Sequence, residues 1–302
     1  MLQRLNCPLT EAEANVIFTW PYTEPELMRA AQMAGVENKV AGLPYEVRYC
    51  PTSGLHFQTW VLDETELAGL YSPSADPSCF ESEISRQELH WLAHLTEEIL
   101  VLRQMIGVRR PRVLDFGCNW GKWASMALAH GCEVYGLDVN RAAATFSATR
   151  GVTMLGFEDL PGMAFDFINV DQVAEHLSNP VPIIRGLAAG LKPNGFLKLS
   201  VPNNPSLPQR LQAAQRRRDG SVLATRTLDA LAPLQHVNLF NPQALTVLGC
   251  TAGLMPVKLP FWKCLGAGQL WNLPRQLNRN LTVPFKRAFG LGTYRWFRKP
   301  LG

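Results

Sequence analysis

VLDFGCNWG, residues 113–121, joins the pattern of a short buried strand to a loop with glycines at positions 117 and 121. The loop leads into KWASMALAH (122–130), whose residues favour a helix. A chain that passes from a strand through glycine into a helix can approach a ligand closely with unpaired backbone N–H groups. This stretch therefore predicts a nucleotide-binding turn in an α/β fold.

Strand patterns recur after this turn, with helical patterns between them. They are EVYGLDV (133–139), VTMLGF (152–157), FDFINV (165–170) and GFLKLSVP (195–202). This alternation predicts a mainly parallel sheet with helices on both faces. No apolar run reaches the length of about 18 residues that a membrane span needs. The seven scattered cysteines and the lack of a signal-peptide pattern at the start indicate a cytoplasmic protein.

Two common phosphate-binding loops do not fit residues 113–121. A P-loop, G-x-x-x-x-G-K-S/T, would need glycine at Phe116 and a hydroxyl side chain at Trp123. The dinucleotide fingerprint G-x-G-x-x-G would need glycine at Asn119 and Lys122. The loop therefore favours a ligand that has no phosphate.

S-adenosylmethionine fits the remaining features. It has no phosphate, and a carboxylate at Asp115 can face its ammonium or sulfonium group. The next strand, VYGLDVN, ends in Asp138, and a carboxylate at that strand tip can accept hydrogen bonds from ribose hydroxyls. The loop and the two acids together predict S-adenosylmethionine as the cofactor, with S-adenosylhomocysteine as the product.

Six ordered motifs resemble the class I S-adenosylmethionine-dependent methyltransferases, in particular the group similar to ubiquinone-biosynthesis O-methyltransferases. Besides VLDFGCNWG and VYGLDVN, they are GFEDLP, FDFINVDQVAEHLSNP, LKPNGFLKLSVPN and QHVNLFNPQALTVLGCTAGL. The resemblance covers about residues 85–260 and implies a Rossmann-like α/β fold. Its sheet would have seven strands, mostly parallel, and TYRWFRKP (293–300) would be a last strand that runs antiparallel.

The resemblance also assigns residues to the cofactor. Asp115, Gly117 and Gly121 match the cofactor loop, where Asn119 replaces the usual middle glycine, and Asp138 matches the ribose acid.

A second group of residues is assigned in the same way. Phe157 and Glu158 lie where the family contacts adenine, and Asp171 lies near the methionine part. Gly156 stands where many relatives carry an acid that touches the adenine amino group.

Residues 1–80 form a separate N-terminal module in this interpretation, and residues 81–302 form the methyltransferase domain. The module resembles the zinc ribbon that precedes many sugar and natural-product methyltransferases, but its motifs are CPLT and CPTSGLHF. Cys7 and Cys50 are kept, whereas Thr10 and Ser53 stand where the other two cysteines belong. Tetrahedral zinc needs four nitrogen or sulfur ligands, so we expect a small α+β module without a metal.

Two histidines are candidates for the catalytic base. The resemblance implies methyl transfer to a small molecule of sugar, lipid-linked or natural-product type, at a hydroxyl group. His176, predicted to open a helix after the fourth strand, and His236, in a segment that closes over the substrate in this family, could take the hydroxyl proton. Both histidines could instead cap a helix or bond the backbone, and this alternative stays open.

The charge distribution bears on partners. No Asp or Glu follows Asp229, and the last 73 residues carry nine Lys and Arg. An anionic acceptor is one interpretation, with RRRD (216–219) near it, and at most a peripheral membrane contact through the basic C-terminal region is another. A nucleic-acid substrate is not favoured, because the chain lacks an Asn/Asp-Pro-Pro-Tyr/Phe motif. A nucleic-acid or protein methyltransferase and a non-catalytic cofactor-binding scaffold are the alternatives.

Overall fold

A computed structural model describes residues 1–63, 66–67, 89–216, 227, 231–266, 285–286 and 293–301. The described strands are β1 (Leu2–Gln3), β2 (Asn15–Pro21), β3 (Pro44–Tyr49), β4 (His56–Gln58), β5 (Trp60–Val61), β6 (Arg112–Phe116), β7 (Glu133–Leu137), β8 (Thr153–Met154), β9 (Phe165–Asp171), β10 (Leu191–Ser200), β11 (Asn238–Leu239), β12 (Met255–Val257) and β13 (Tyr294–Arg298). The helices are α1 (Pro25–Met33), α2 (Glu37–Val40), α3 (Leu89–Ile106), α4 (Lys122–Ala129), α5 (Arg141–Thr149), α6 (Pro180–Ala189), α7 (Leu207–Arg216), α8 (Pro242–Thr251) and α9 (Phe261–Gly266), and Phe157–Asp159 form a 3₁₀ turn.

The largest sheet has seven strands in the order β12-β13-β10-β9-β6-β7-β8. The contacts among β6, β7, β8, β9 and β10 are parallel, whereas β13 runs antiparallel to both β10 and β12. The predicted Rossmann-like α/β fold is therefore confirmed, including the antiparallel strand near the C-terminus.

Helices cover both faces of this sheet because successive strand residues point to opposite sides. Val113 and Phe167 pack in one core with residues of α3 and α4. Leu114 and Ile168, their neighbours in sequence, pack in a second core with residues of α6 and α8. Parallel strands buried on both faces explain the nearly continuous apolar runs in the sequence.

The N-terminal residues share a sheet and a core with later parts of the chain. A four-stranded sheet has the order β11-β4-β3-β2, and its edge strand β11 comes from residues 238–239. In the core of this region, Phe18, Tyr45 and Val47 pack with Leu211 of α7 and with Leu234. The division at residue 80 stays a prediction, but contacts of residues 1–63 extend well beyond it.

The helix predicted around His176 is wrong. Residues 172–178 form turns, and α6 begins only at Pro180. The side-chain amide of Asn238 donates to the carbonyl oxygens of Ala174, at 3.1 Å, and Leu177, at 2.7 Å. Contacts from a distant segment thus replace the hydrogen bonds that a helix would make within itself.

Several predicted features lie outside the described residues. They are the predicted module boundary at residue 80, most of the RRRD run and most of the basic region after residue 266. Among the helices that the structure describes, none combines the length and the apolar character that crossing a bilayer requires.

The four positions that resemble zinc ligands lie together. Cys7 Sγ is 3.1 Å from Ser53 Oγ, and Thr10 Oγ1 is 3.9 Å from Cys50 Sγ. The two turns repeat one backbone pattern, in which the residue four positions after each cysteine donates its N–H to the cysteine carbonyl at 2.8 Å. Two thiols and two hydroxyls thus lie together at the four positions where the zinc-ribbon resemblance places cysteine ligands.

We expect the double substitution Thr10→Cys, Ser53→Cys to create a zinc site. Thiolates around tetrahedral zinc lie roughly 3.8 Å apart, given a Zn–S distance of about 2.3 Å, which is close to the spacings found here. Cobalt substitution, followed by the thiolate-to-cobalt absorption bands, tests this expectation. Unsubstituted protein is the control. Absence of the bands in a folded double variant would contradict the zinc-ribbon interpretation.

Candidate functional site

A cleft of about 330 Å³ opens above the carboxyl ends of β6 and β9. Its wall contains Leu95, Asp115, Gly117, Cys118, Asn119, Trp120, Lys122, Trp123, Asn169 and Asp171. Four of the residues predicted to bind the cofactor, Asp115, Gly117, Asn119 and Asp171, are therefore brought together. In α/β folds this edge of the sheet is where ligands bind.

The loop between β6 and α4 has a backbone that only certain residues adopt. Gly117 has a φ of +73°, and a Cβ atom there would lie 2.4 Å from Val173 Cγ2, so glycine is required. Asn119 has a φ of 46°, in the left-handed region that Asn tolerates better than most residues. Its N–H donates to Asp138 Oδ2 at 2.7 Å, and its carbonyl accepts from Ser147 Oγ at 2.9 Å. These bonds explain why asparagine can replace the middle glycine.

Helix α4 begins at this loop without a side-chain cap. Gly121 precedes it with a φ of 70°, and a Cβ there would lie 2.8 Å from Ser147 Oγ. The neighbouring α5, in contrast, is capped by Asn140, which accepts from two backbone N–H groups. The positive end of the α4 dipole is thus directed at the cleft, as expected for a ligand-binding turn.

Asp115 and Asn169 form the floor of the cleft. Asn169 Nδ2 donates to Asp115 Oδ1 at 2.7 Å, and burial raises the pKa of Asp115 to about 7. Asn169 Oδ1 is also buried, and no described residue forms a hydrogen bond with it. An acid of raised pKa beside an unpaired carbonyl oxygen favours a ligand that brings positive charge and N–H donors. Both features match the ammonium and sulfonium groups of S-adenosylmethionine.

Lys198, on β10, has a fully buried ammonium group close to Asp171 of the cleft wall. Its Nζ contacts Glu98 of α3 and is 3.8 Å from Asp171 Oδ1. Glu98 also accepts from Trp123 Nε1 at 3.2 Å. Burial opposes the charge of Lys198, but the carboxylates of Asp171 and Glu98 outweigh this effect and raise its pKa.

The remaining predicted cofactor residues are not among the residues of the cleft wall. Asp138 directly follows β7, and its two oxygens accept from the N–H groups of Asn119, at 2.7 Å, and Asn140, at 2.8 Å. Phe157 is partly exposed and makes an edge-to-face contact with Phe116, with ring centroids 6.5 Å apart. The Glu158 carboxylate folds back over Gly156.

A second cavity, of about 400 Å³, lies beyond the ends of β9 and β10. It is lined by His56, Glu175, Val201, Pro202, Asn203, Asn204, Pro205, Leu207, Pro208, His236, Asn238, Leu239, Phe240, Asn241 and Pro242. Among the described residues that form this wall, none is Lys or Arg. The lining is therefore apolar and neutral polar except for one acid and two histidines.

Glu175 is the acid of this cavity. It is 1% exposed, neither of its carboxylate oxygens has a hydrogen-bond partner among the described residues, and burial raises its pKa to about 8. His176 Nε2 lies 3.8 Å from Glu175 Oε1, and the rings of His176 and His236 have centroids 4.9 Å apart. The two predicted histidines therefore meet, and both form one group with Glu175, which sequence reasoning missed.

The ring environments favour neutral histidines. His176 Nδ1 is 3.0 Å from the carbonyl oxygen of Gln235, which fixes the proton on Nδ1 and leaves Nε2 as an acceptor. Burial lowers the pKa of His176, and it lowers the pKa of His236 to about 4. His56, from β4, is the other histidine of the cavity wall besides His236, and burial lowers its pKa to about 4 as well.

Metal-binding potential in the described residues concentrates at the same place. Ligand atoms of Glu175, His176 and His236 all lie within 4.8 Å of one another. Carboxylate and imidazole are donors that divalent cations accept. The prediction that the protein holds no metal rests on the sequence alone and stays a prediction.

Substitution of Lys198 by Met should destabilise the protein strongly. Removing one partner of a buried ion pair leaves an uncompensated charge, at a cost of about 3–5 kcal/mol in the free energy of unfolding. Lys192→Met, which removes a half-exposed partner of Asp166, should cost about 1 kcal/mol or less. Urea denaturation compares the two variants, and equal losses would contradict a special role for Lys198. The double variant Glu98→Gln, Lys198→Met should recover part of the loss.

A family described as a methyltransferase domain matches residues 85–259 of the chain. The ubiquinone biosynthesis O-methyltransferase of Sodalis glossinidius is 31% identical over 118 residues, which are 35% of this chain and 47% of that protein. The corresponding protein of Ralstonia nicotianae is 24% identical over 159 residues, 49% of this chain and 64% of its own. The chain spans about half the length of the curated relatives it matches.

One solved structure that the chain resembles carries the name of a methyltransferase. The plantazolicin methyltransferase BpumL, in complex with a pentazolic desmethylPZN analog and SAH, is 15% identical. The match covers 78% of this chain and 95% of that one, with a TM-score of 0.46. The family match extends over more than half of the chain and includes the loop and six of the seven strands of the large sheet, all but β13. The chain therefore belongs to the methyltransferase-domain family, which confirms its resemblance to the class I S-adenosylmethionine-dependent methyltransferases.

Proposed function

We propose that this protein transfers the methyl group of S-adenosylmethionine to a hydroxyl group of an uncharged small molecule. One observation carries the proposal. A cleft with cation-binding features lies at the carboxyl ends of β6 and β9, and a cavity that contains the buried carboxylate of Glu175 lies beyond the ends of β9 and β10. Family membership supports the first half of the proposal, and the lining of the cavity supports the second.

The cleft would hold the cofactor through its charges. Asp115, Asn169 and Asp171 would face the ammonium and sulfonium groups, as their position in the wall supports. When bound, the cofactor supplies a methyl group on a positively charged sulfur. The leaving thioether is neutral, so the protein does not have to protonate it.

The edge of the cleft would hold the nucleoside. Asp138 has one lone pair on each oxygen beyond its backbone bonds, and these can accept from ribose hydroxyls. Phe157 presents a partly exposed ring to the adenine, and Glu158 lies beside it on the same turn. Gly117, Asn119 and Gly121 would contribute backbone groups, as the sequence predicts.

The acceptor would occupy the second cavity with its hydroxyl near Glu175. The unpaired oxygens of Glu175 can accept the hydroxyl hydrogen bond, and the Nε2 atom of His176 is the neighbouring acceptor. Transfer of the proton to this group would raise the nucleophilicity of the acceptor oxygen as it approaches the methyl group. Orientation of the two reactants by adjoining sites would supply much of the acceleration.

An uncharged acceptor fits this cavity better than the anionic acceptor considered from the sequence. The described wall has no Lys or Arg, and its polar groups are Glu175, histidines and asparagine amides. A phosphate placed next to a buried acid would be repelled when that acid is ionised. The arginines at 217 and 218 lie outside the described residues.

A methyl-transfer screen tests the proposal. Purified protein with radiolabelled S-adenosylmethionine is offered neutral glycosides and phenols, phosphorylated sugars, RNA and a protein mixture. We expect label in the neutral hydroxyl compounds. Label in RNA or protein would overturn the substrate class, and tight cofactor binding without any transfer would favour a non-catalytic scaffold.

Glu175→Gln should lower kcat by about 10²–10³-fold on the best acceptor, because an amide cannot take the hydroxyl proton. Calorimetry should show an unchanged Kd for S-adenosylhomocysteine, because Glu175 lies outside the cofactor cleft. Glu26→Gln, at an exposed position of α1, is the matched control. Full activity of the Glu175 variant would rule out its role as the proton acceptor.

The affinity for S-adenosylmethionine should fall as the pH falls below 7. Asp115 is faced by the charges of Asp171, Glu98 and Lys198 and by the thiol of Cys118, and burial raises its pKa to about 7. Below that pH the carboxyl group holds a proton that must leave before it pairs with the cation. The Kd should therefore rise roughly eightfold between pH 7.5 and pH 6.

Calorimetry at several pH values measures this dependence. Asp115→Asn is the control, and its Kd should be higher at pH 7.5 but nearly independent of pH. An equally steep dependence in the Asn variant would show that another group is responsible.

A further inference from the structure

We propose that Arg4 and Gln58, both in the N-terminal part of the chain, are positioning residues for the acceptor cavity. They would hold the segment of residues 231–238 so that His236 faces Glu175 and His176. This inference rests on the proposed function only in identifying the cavity as the acceptor site.

Arg4 connects three separate parts of the chain. Its Nη1 donates to the carbonyl oxygen of Ser178, at 3.1 Å, and to Asn238 Oδ1, at 2.9 Å. Its Nη2 donates to the carbonyl oxygens of Val237, at 2.6 Å, and Gln58, at 3.1 Å. The acceptors lie on β4, on the turn before α6 and at β11, and a planar guanidinium with five donors can reach all of them at once.

Gln58 binds the same segment from the opposite side. It is 1% exposed, and its Nε2 donates to the carbonyl oxygen of His236 at 3.0 Å. Its Oε1 accepts from the N–H of Leu234 at 3.0 Å, and its own N–H donates to the carbonyl oxygen of Val237 at 3.0 Å. The side-chain amide of Gln58 therefore forms hydrogen bonds, through both its nitrogen and its oxygen, with the segment that carries His236.

The held segment needs such support because its backbone is strained. Ala232 has a φ of 35° and Leu234 a φ of 65°, and neither residue is glycine. Such conformations cost about 1–3 kcal/mol each and persist only where surrounding contacts fix them. Gln58 supplies one of those contacts at Leu234 directly.

Asn238 connects the segment of residues 231–238 to the turn that carries Glu175. Its Oδ1 is held by Arg4, its Nδ2 donates to carbonyl oxygens of the turn that carries Glu175, and its N–H donates to the Glu175 carbonyl at 3.0 Å. His176 bonds the segment in return through the carbonyl of Gln235. The relative position of the acid and the two histidines thus depends on a side chain four residues from the start of the sequence.

Arg4→Met and Gln58→Leu test the proposal, with Arg48→Met as the matched control. Arg48 is another partly buried arginine of the same region, but its hydrogen bonds go to Thr59 and Ala14, not to the cavity segment. Arg4→Lys is added because it keeps the charge and loses the fork geometry. Circular dichroism identifies any variant that fails to fold, and Arg4→Lys then decides the question.

Two readouts do not require a known acceptor. Selective ¹⁵N labelling gives ring signals for the six histidines, and hydrogen exchange reports on the amides of residues 231–241. We expect the ring signals of His176 and His236 to shift, and exchange in the segment to accelerate at least tenfold, in the Arg4 and Gln58 variants but not in Arg48→Met. The Kd for S-adenosylhomocysteine should change less than twofold in all of them.

Unchanged ring signals and exchange in the folded Arg4 and Gln58 variants would overturn the proposal. Equal changes in Arg48→Met would also overturn it, because they would show a general loss of stability. If the screen yields an acceptor, the same variants should lower kcat/KM for it about tenfold or more. A wild-type protein that methylates nothing would contradict the proposed function, while the histidine signals would still decide whether Arg4 and Gln58 position the cavity.

Discussion

The positive charge of the buried Lys198 ammonium group compensates acids that are buried at the carboxyl edge of the seven-stranded sheet. Moving an ion out of water costs several kcal/mol unless a partner of opposite charge lies close by. Lys198 lies between Glu98 of α3 and Asp171 of β9, so one charge compensates acids from two layers of the fold. Asp115, one strand further, has the Asn169 amide as its hydrogen-bond partner and keeps a raised pKa. A cationic ligand bound in the cleft would supply further positive charge next to Asp115 and Asp171.

The two halves of the site are built in different ways. The cofactor cleft is local, because its loop, its helix start and its acids come from consecutive strands of one sheet. The neighbouring cavity is assembled from distant parts of the chain, including β4, the turn after β9 and residues 236–242. If the cavity is the acceptor site, as proposed, variation in the N-terminal region can alter acceptor binding while the cleft above β6 and β9 keeps its shape.

The sequence contained much of the fold and of the cofactor cleft because both depend on local patterns. Apolar strands, the glycine at 117 and acids at strand tips are each visible within a few residues. Glu175 was missed because its significance lies in burial without a partner, which no spacing reveals. The turn around His176 was predicted as a helix because local propensity cannot include the hydrogen bonds that Asn238 and Arg4 make from afar. The position of Glu175 directly before His176 in the sequence is a signal that could have indicated it.

The charge balance also bears on the order of events in the proposed reaction. S-adenosylmethionine carries a sulfonium charge, whereas S-adenosylhomocysteine has a neutral thioether. Asp115 and Asp171 lie in the cleft wall together with Lys122, and the ammonium group of Lys198 is shared between Glu98 and Asp171. In the proposed reaction, transfer of the methyl group would remove the positive charge that these acids attract, and Asp115 would again favour its protonated form. The acids that would favour entry of the cofactor would then bind the neutral thioether of the product less tightly.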